Sequence, residues 1–246
     1  MTSACDDLSR LKKTALLPFL GAVALALILG FTLDQGFSFL VAVGTFIALW
    51  VVFHGVQDLR SKTENSDHFF AGLKRLSLSY WGMQLGHLGV AVCVIGVLFS
   101  VDLSDTRDVR FEPGDTYELR GYLFELDRYQ TVQGPNYRAE EAVVTVSRKN
   151  QFLTDIFPQK RLYTVRGQTM TEAGIEGNLW RDLYVSMGEP LDGGAWSVRV
   201  YVKPFVRWIW YGAMLMAFGG LLAILDRRYR LSKPSIPSET AATGAA

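Results

Sequence analysis

Three histidines occur in the chain, and His87 has the surroundings that matter for chemistry. It lies in Tyr80-Trp81-Gly82-Met83-Gln84-Leu85-Gly86-His87-Leu88-Gly89-Val90, which opens an apolar run reaching Val101. A run of that length spans a bilayer as a helix, and His87 then sits roughly 10 Å deep at 1.5 Å per residue. An imidazole in hydrocarbon is costly unless something binds it, so an intramembrane histidine marks a functional site by default. Gly82, Gly86, Gly89, Cys93 and Gly96 recur at helical spacing beside it and make a strip of small side chains. Such a strip admits close approach of a second helix or of a flat ligand. A neutral imidazole beside a flat space suits an axial haem ligand, with one nitrogen lone pair for iron and room for the macrocycle. The competing reading is a histidine bonded to a partner helix, with the glycines as plain packing.

Four apolar runs position this residue. Residues 14–33 form the first expected span. Residue 34–36 is a tight turn, and 37–56 the second span, ending near His54, read as a wet or capping histidine at an interface rather than a ligand. Residues 57–79 are a basic connector. Within it, Ser66-Asp67 can cap a short helix near 66–79, on which Phe69, Leu73, Leu76 and Tyr80 share one side, a pattern suited to lying in the membrane interface. His68 begins that helix and reads as solvated. Residues 80–101 are the third span, making 1–101 a three-helix membrane part, and 205–225 are the fourth.

Residues 102–204 are soluble in character. They alternate in short runs, at 117–127, 137–148, 161–166, 182–187 and 196–202, punctuated by Gly134-Pro135-Asn136 and Asp192-Gly193-Gly194. That predicts a small antiparallel β-sandwich or barrel between the third and fourth helices. Residues 226–246 are a basic stop followed by a Pro-, Ser-, Thr- and Ala-rich tail read as disordered. The basic N-terminus, the 57–79 connector and Asp226-Arg227-Arg228-Tyr229-Arg230 fall on one side if four spans alternate. The positive-inside bias therefore puts both termini in the cytoplasm and the β domain outside, which is the periplasm of a two-membrane bacterium.

Several function classes find no support. The formal net charge of +1 gives no reason to expect nucleic acid. Cys5 and Cys93 are far apart, with no Cys-x-x-Cys, so neither a thiol redox motif nor a zinc site is indicated. The outer section contains no histidine, and no hydrolase triad can be assembled from it. No acidic residue lies inside an expected span, which disfavours an ion-coupled transporter.

Four local motifs resemble the C-terminal part of the cytochrome c maturation protein F (CcmF) family, a haem lyase subunit of bacteria and plant mitochondria. They are Trp81-Gly82-Met83-Gln84-Leu85-Gly86-His87-Leu88-Gly89, Phe157-Pro158-Gln159-Lys160-Arg161-Leu162-Tyr163, Asp182-Leu183-Tyr184-Val185-Ser186-Met187-Gly188-Glu189, and Lys203-Pro204-Phe205-Val206-Arg207-Trp208-Ile209-Trp210 leading to the basic stop. The resemblance covers roughly residues 16–230. It implies that His87 is one axial ligand of a haem b buried among helices in the bacterial inner membrane, with Gly86 and Gly89 on a small face near the haem or a helix contact. It implies electron delivery from quinol to a second haem brought by a periplasmic haem chaperone. That haem is then attached to apocytochrome c, which a thiol-reducing and docking subunit presents. The family's tryptophan-rich periplasmic segment and second haem b ligand have no match here, so the remaining N-terminal part of the family protein is an expected partner, beside membrane lipids. Activity alone is not expected. Two other readings stay open: a non-catalytic scaffold of a cytochrome assembly complex, and a subunit of the other bacterial cytochrome c system.

Overall fold

The structure, a computed structural model, describes residues 16, 19–29, 38–64, 68–165 and 167–226. The 34–36 turn, the Ser66-Asp67 cap, the ends of the first expected span and the chain after Asp226 lie outside them. Five helices are described: α1 Phe19–Leu29, α2 Phe39–Thr63, α3 Phe69–Arg75, α4 Leu78–Asp102 and α5 Val206–Leu225. Among the described residues, three are long and apolar enough to cross a membrane, α2, α4 and α5. The helix seen within the first expected span, α1, is apolar but shorter.

The helix boundaries differ from expectation where polar caps override hydropathy. Ser38 starts α2, its Oγ accepting from Val41 N at 3.4 Å. The helix continues past the expected end at 56 to Thr63 and so takes in Asp58. The connector helix stops at Arg75. Leu76 and Ser77 turn extended, with ψ of 140° and 157°, and Ser77 caps α4 by accepting from Tyr80 N at 3.2 Å. Tyr80 therefore belongs to α4 and not to an interfacial helix reaching residue 79. His68 is the N-cap of α3 and makes no side-chain capping bond.

Ten antiparallel strands follow α4: β1 Asp105–Phe111, β2 Thr116–Leu119, β3 Tyr122–Gln133, β4 Tyr137–Arg148, β5 Gln151–Ile156, β6 Gln159–Tyr163, β7 Gln168–Glu172, β8 Gly174–Gly177, β9 Arg181–Pro190 and β10 Trp196–Pro204. They form two sheets, β1-β10-β9-β8 and β2-β3-β4-β6-β7, with β5 also on β4. Alternate residues of facing strands close the core: Phe124 and Leu126, Val144 and Val146, Leu183, Val185 and Met187, Val198 and Val200. The expected run at 117–127 is two strands, because Arg120 (φ 49°) and Gly121 (φ 74°) turn the chain into a hairpin. Lys149 and Asn150 (φ 50° and 59°) do the same between β4 and β5. Neither pair carries a strong turn signature, which is why both hairpins escape a reading of the sequence.

The membrane helices are held by α4 against α5. Gly82, Gly89 and Gly96, seven residues apart, lie on one buried face of α4. A methyl group on Gly89 would lie 2.7 Å from the Gly212 carbonyl oxygen, and one on Gly96 2.7 Å from Ile209 N. Gly82 fits against the Gly219 carbonyl in the same way. Backbones this close gain van der Waals contact that lipid cannot replace. At the far end, Asp226 accepts from Ser79 N at 2.9 Å, so the residue after α5 caps the first turn of α4. On the other side, Gly44 receives Leu98, joining α2 to α4, and Phe19 meets Phe46 and Trp50 edge-on at 5.5 Å, joining α1 to α2.

Gly86 differs from its neighbours, since a methyl group there would meet nothing within 4 Å. Gly89→Leu is therefore expected to destabilise the helix bundle by about 1–3 kcal/mol through overpacking, while Gly86→Leu is neutral or gains up to about 1 kcal/mol of helix propensity. Thermal unfolding of the two purified variants in detergent measures the contrast.

Candidate functional site at His87

His87 is nine residues into α4, about 14 Å along the axis. It stands about 160° around the helix from the Gly82–Gly89–Gly96 face, at 3.6 residues per turn. The small strip therefore packs α5, and the imidazole points elsewhere. His87 is exposed on this chain, as are Met83, Leu88 and Val90 nearby. Its Nδ1 lies 3.0 Å from the Met83 carbonyl oxygen, one turn back. A carbonyl only accepts, so this bond requires the proton on Nδ1 and leaves the Nε2 lone pair free. The same arrangement fixes tautomer and ring orientation in histidines that ligate metals.

Beside the ring, α2 and α4 enclose a cavity of about 290 Å³, open on one side and lined by Trp50, Val51, His54, Gly55, Asp58, Met83, Gln84 and His87. A second, of about 170 Å³ and more apolar, shares Val51, Gly55, Gln84 and His87 and continues to Trp81, Leu85 and Leu88. The structure brings His54 to the same cavity as His87. Its ring meets Trp50 at 4.3 Å, edge to face.

The polar end of the cavity joins the two helices. The Gln84 side-chain amide donates to Asp58 Oδ2 at 3.1 Å and to the Tyr80 hydroxyl at 2.8 Å. Gly55 makes room for it: a methyl group there would lie 2.8 Å from Gln84 Oε1. Lys62 Nζ lies 5.5 Å from the Tyr80 ring centre, a cation–π contact that adds to the polar character of this end. These partners were legible in part. Trp50, His54 and Asp58 are four residues apart and so share one helix face, a spacing visible once α2 is continued past residue 56. Their meeting with Gln84 was not, since it needs the packing of two helices.

Among the described residues no group of three or more His, Cys, Asp or Glu could hold a bare metal ion. A metal bound at Nε2 would have to bring most of its own ligands, as the iron of a haem does. The fixed tautomer, the free lone pair and an apolar recess beside it fit such a group.

Gln84→Leu keeps the size of the side chain but strips Asp58 and Tyr80 of a shared donor. It is expected to lower stability by about 1–3 kcal/mol, the loss of two hydrogen bonds between part-buried groups. Gln84→Asn, too short to reach, should behave alike in the same thermal unfolding assay.

Comparison with known proteins gives this geometry a lineage. Residues 102–204 match the family model of the CcmF C-terminal beta-sandwich. The chain is 48% identical over 226 residues to the cytochrome c-type biogenesis protein CcmF of Pseudomonas aeruginosa, covering 92% of this chain and 34% of that protein. It is 36% identical over 236 residues to CcmF of Escherichia coli K12, covering 96% of this chain and 35% of that protein. A solved structure of the cytochrome c haem lyase CcmF shares the fold, with a TM-score of 0.68 at 20% identity, over 86% of this chain and 34% of that one. The chain thus spans 34% and 35% of the length of these two curated relatives. With its apolar helices, its β-sandwich and their order along the chain all in agreement, this multi-pass membrane protein belongs to the CcmF family and corresponds to its C-terminal portion.

Proposed function

We propose that this chain is the C-terminal part of a cytochrome c haem lyase and that His87 supplies one axial ligand to a haem b in the membrane. The observation that carries the reading is the Nδ1–Met83 bond, which leaves Nε2 as a free ligand beside an open cavity at membrane depth. A bound haem would supply one-electron chemistry. The chain's own share is to hold and orient the imidazole, to exclude water with Trp50, Val51 and Met83, and to hold the cavity walls together through the Asp58–Gln84–Tyr80 link.

His87 is exposed on this chain, so the rest of the site comes from elsewhere. The remaining N-terminal part of the family protein, which bears the tryptophan-rich segment, covers it and contributes the second axial ligand. Quinol delivers electrons, and a periplasmic haem chaperone and the thiol-reducing subunit bring haem and apocytochrome c to the β-sandwich side. The assembly resides in the bacterial inner membrane, with the β-sandwich in the periplasm and both termini in the cytoplasm. Gly86, with open space beside it, lines the approach to the haem; Gly89 serves the helix contact.

The test is a reduced-minus-oxidised visible spectrum of the complex purified with its N-terminal partner. His87→Ala is expected to lose haem b or to become five-coordinate and to stop cytochrome c maturation. His54→Ala should keep a six-coordinate spectrum. If His54→Ala behaves as His87→Ala does, the second ligand lies in this chain; if His87→Ala keeps its full haem b band, the scaffold reading takes precedence.

Orientation has its own test. A reporter active only outside the cytoplasm should work when inserted at the Lys149-Asn150 turn and fail after Arg230. The reverse pattern overturns the periplasmic assignment.

A further inference from the structure

The turn between β8 and β9, Asn178-Leu179-Trp180, is bonded to the first turn of α5. Phe205 N donates to the Trp180 carbonyl at 2.9 Å, and Trp208 Nε1 donates to the Leu179 carbonyl at 3.0 Å. Asn178 Oδ1 accepts from Trp180 N and Arg181 N at 2.9 and 3.0 Å, which fixes the turn from within. The Trp180 ring rests on Phe205 and Trp208, with centres 6.0 and 5.6 Å apart, and Phe205 in turn meets Phe99 of α4. The turn is thereby a rigid extension of the helix ends. Its two apolar side chains nevertheless face outward, Leu179 50% and Trp180 56% exposed.

The position of that turn along the membrane normal follows from helix length. The 20 residues of α5 rise about 30 Å, the thickness of the hydrocarbon core, so its first turn lies at the boundary between acyl chains and headgroups. Whatever is bonded to that turn lies at the same level. Trp210 and Val101, both well exposed, add apolar surface at the same ends of α5 and α4. An indole and an isobutyl group held there lose water-exposed apolar area by entering the interface, where tryptophan is enriched.

We propose that the β8–β9 turn is a membrane-seating element of the β-sandwich, with Leu179 and Trp180 inserted among phospholipids at the headgroup boundary. The sandwich is then held by the lipid surface as well as by its two chain connections, α4 to β1 and β10 to α5, and cannot swing about them.

The test uses the full chain in phospholipid nanodiscs, in a Cys5→Ser, Cys93→Ala background, with an environment-sensitive fluorophore on Leu179→Cys. Val165→Cys, 87% exposed on the sandwich, is the reference. Lipid carrying a spin label near the headgroup should quench the fluorophore at 179 by about twofold more than lipid labelled at the acyl-chain end, as expected of an interfacial depth. The fluorophore at 165 should respond to neither. A probe at 179 that iodide quenches as freely as one at 165 overturns the proposal. So does a probe shielded from iodide yet untouched by labelled lipid, which would mean a protein contact. Because labelling could disturb the turn, intrinsic tryptophan quenching by brominated lipid provides a second measurement: Trp180→Phe should reduce it relative to the wild type, and no reduction rejects the proposal.

Discussion

The close approach of α4 to α5 is the constraint from which the rest of the structure follows. Gly82 and Gly89 on one helix meet Gly219 and Gly212 on the other, and Gly96 meets the backbone of Trp208 and Ile209, so closely that no Cβ fits between them. In a bilayer there is no hydrophobic gain in bringing two apolar helices together, so the attraction comes from packing, which falls off steeply with distance. This contact sets the rotation of α4. With its glycine face committed to α5, the opposite quadrant carrying His87 turns to α2 and to the surface. The cap that Asp226 places on Ser79 fixes the axial register of the same pair from the other end.

Rotation of α4 in turn decides what the histidine can do. Its Nδ1 is taken up by the helix's own backbone, and its ring lines a recess whose second wall is α2. That wall is polar at one end because α2 continues beyond its apolar stretch far enough to bring Asp58 against Gln84. Asp58 lies past the expected span at 37–56, on the continuation of the same helix. Its partners, a glutamine and a tyrosine, give it a structural role in joining two helices. The imidazole is exposed on this chain, which spans 34% and 35% of the length of two curated relatives, in keeping with the proposal that this portion presents half a site.

The β-sandwich is joined to this membrane assembly rigidly. Phe205, in the left-handed region at φ 58°, turns β10 directly into α5, and Arg207 Nε donates to the buried Asp182 of β9 at 2.7 Å. Aromatic contacts from Phe99 through Phe205 to Trp208 and Trp180 fill the junction. Strand, helix and turn therefore share one small cluster, and a displacement of the sandwich would be felt by the α4–α5 pair.

The sequence alone determined the apolar runs, the alternating strands between the last two of them, the place of His87 inside an apolar run and the family motifs around it. These depend on local composition and on periods of 2 and 3.6, which the chain carries wherever it folds. The tertiary structure decided which neighbour the glycine strip would meet, and so that Gly89 packs a helix while Gly86 faces open space. It also brought His54, read from its place near a span end as a wet histidine, into the same recess as His87, and it turned Asp226 from part of a basic stop into a helix cap. Each of these is a contact between residues far apart in sequence, or a helix end set by a hydrogen bond across the fold. The hairpin at Arg120-Gly121 is a related case: positive φ at an arginine is imposed by the pairing of β2 with β3, and no preference of that residue announces it.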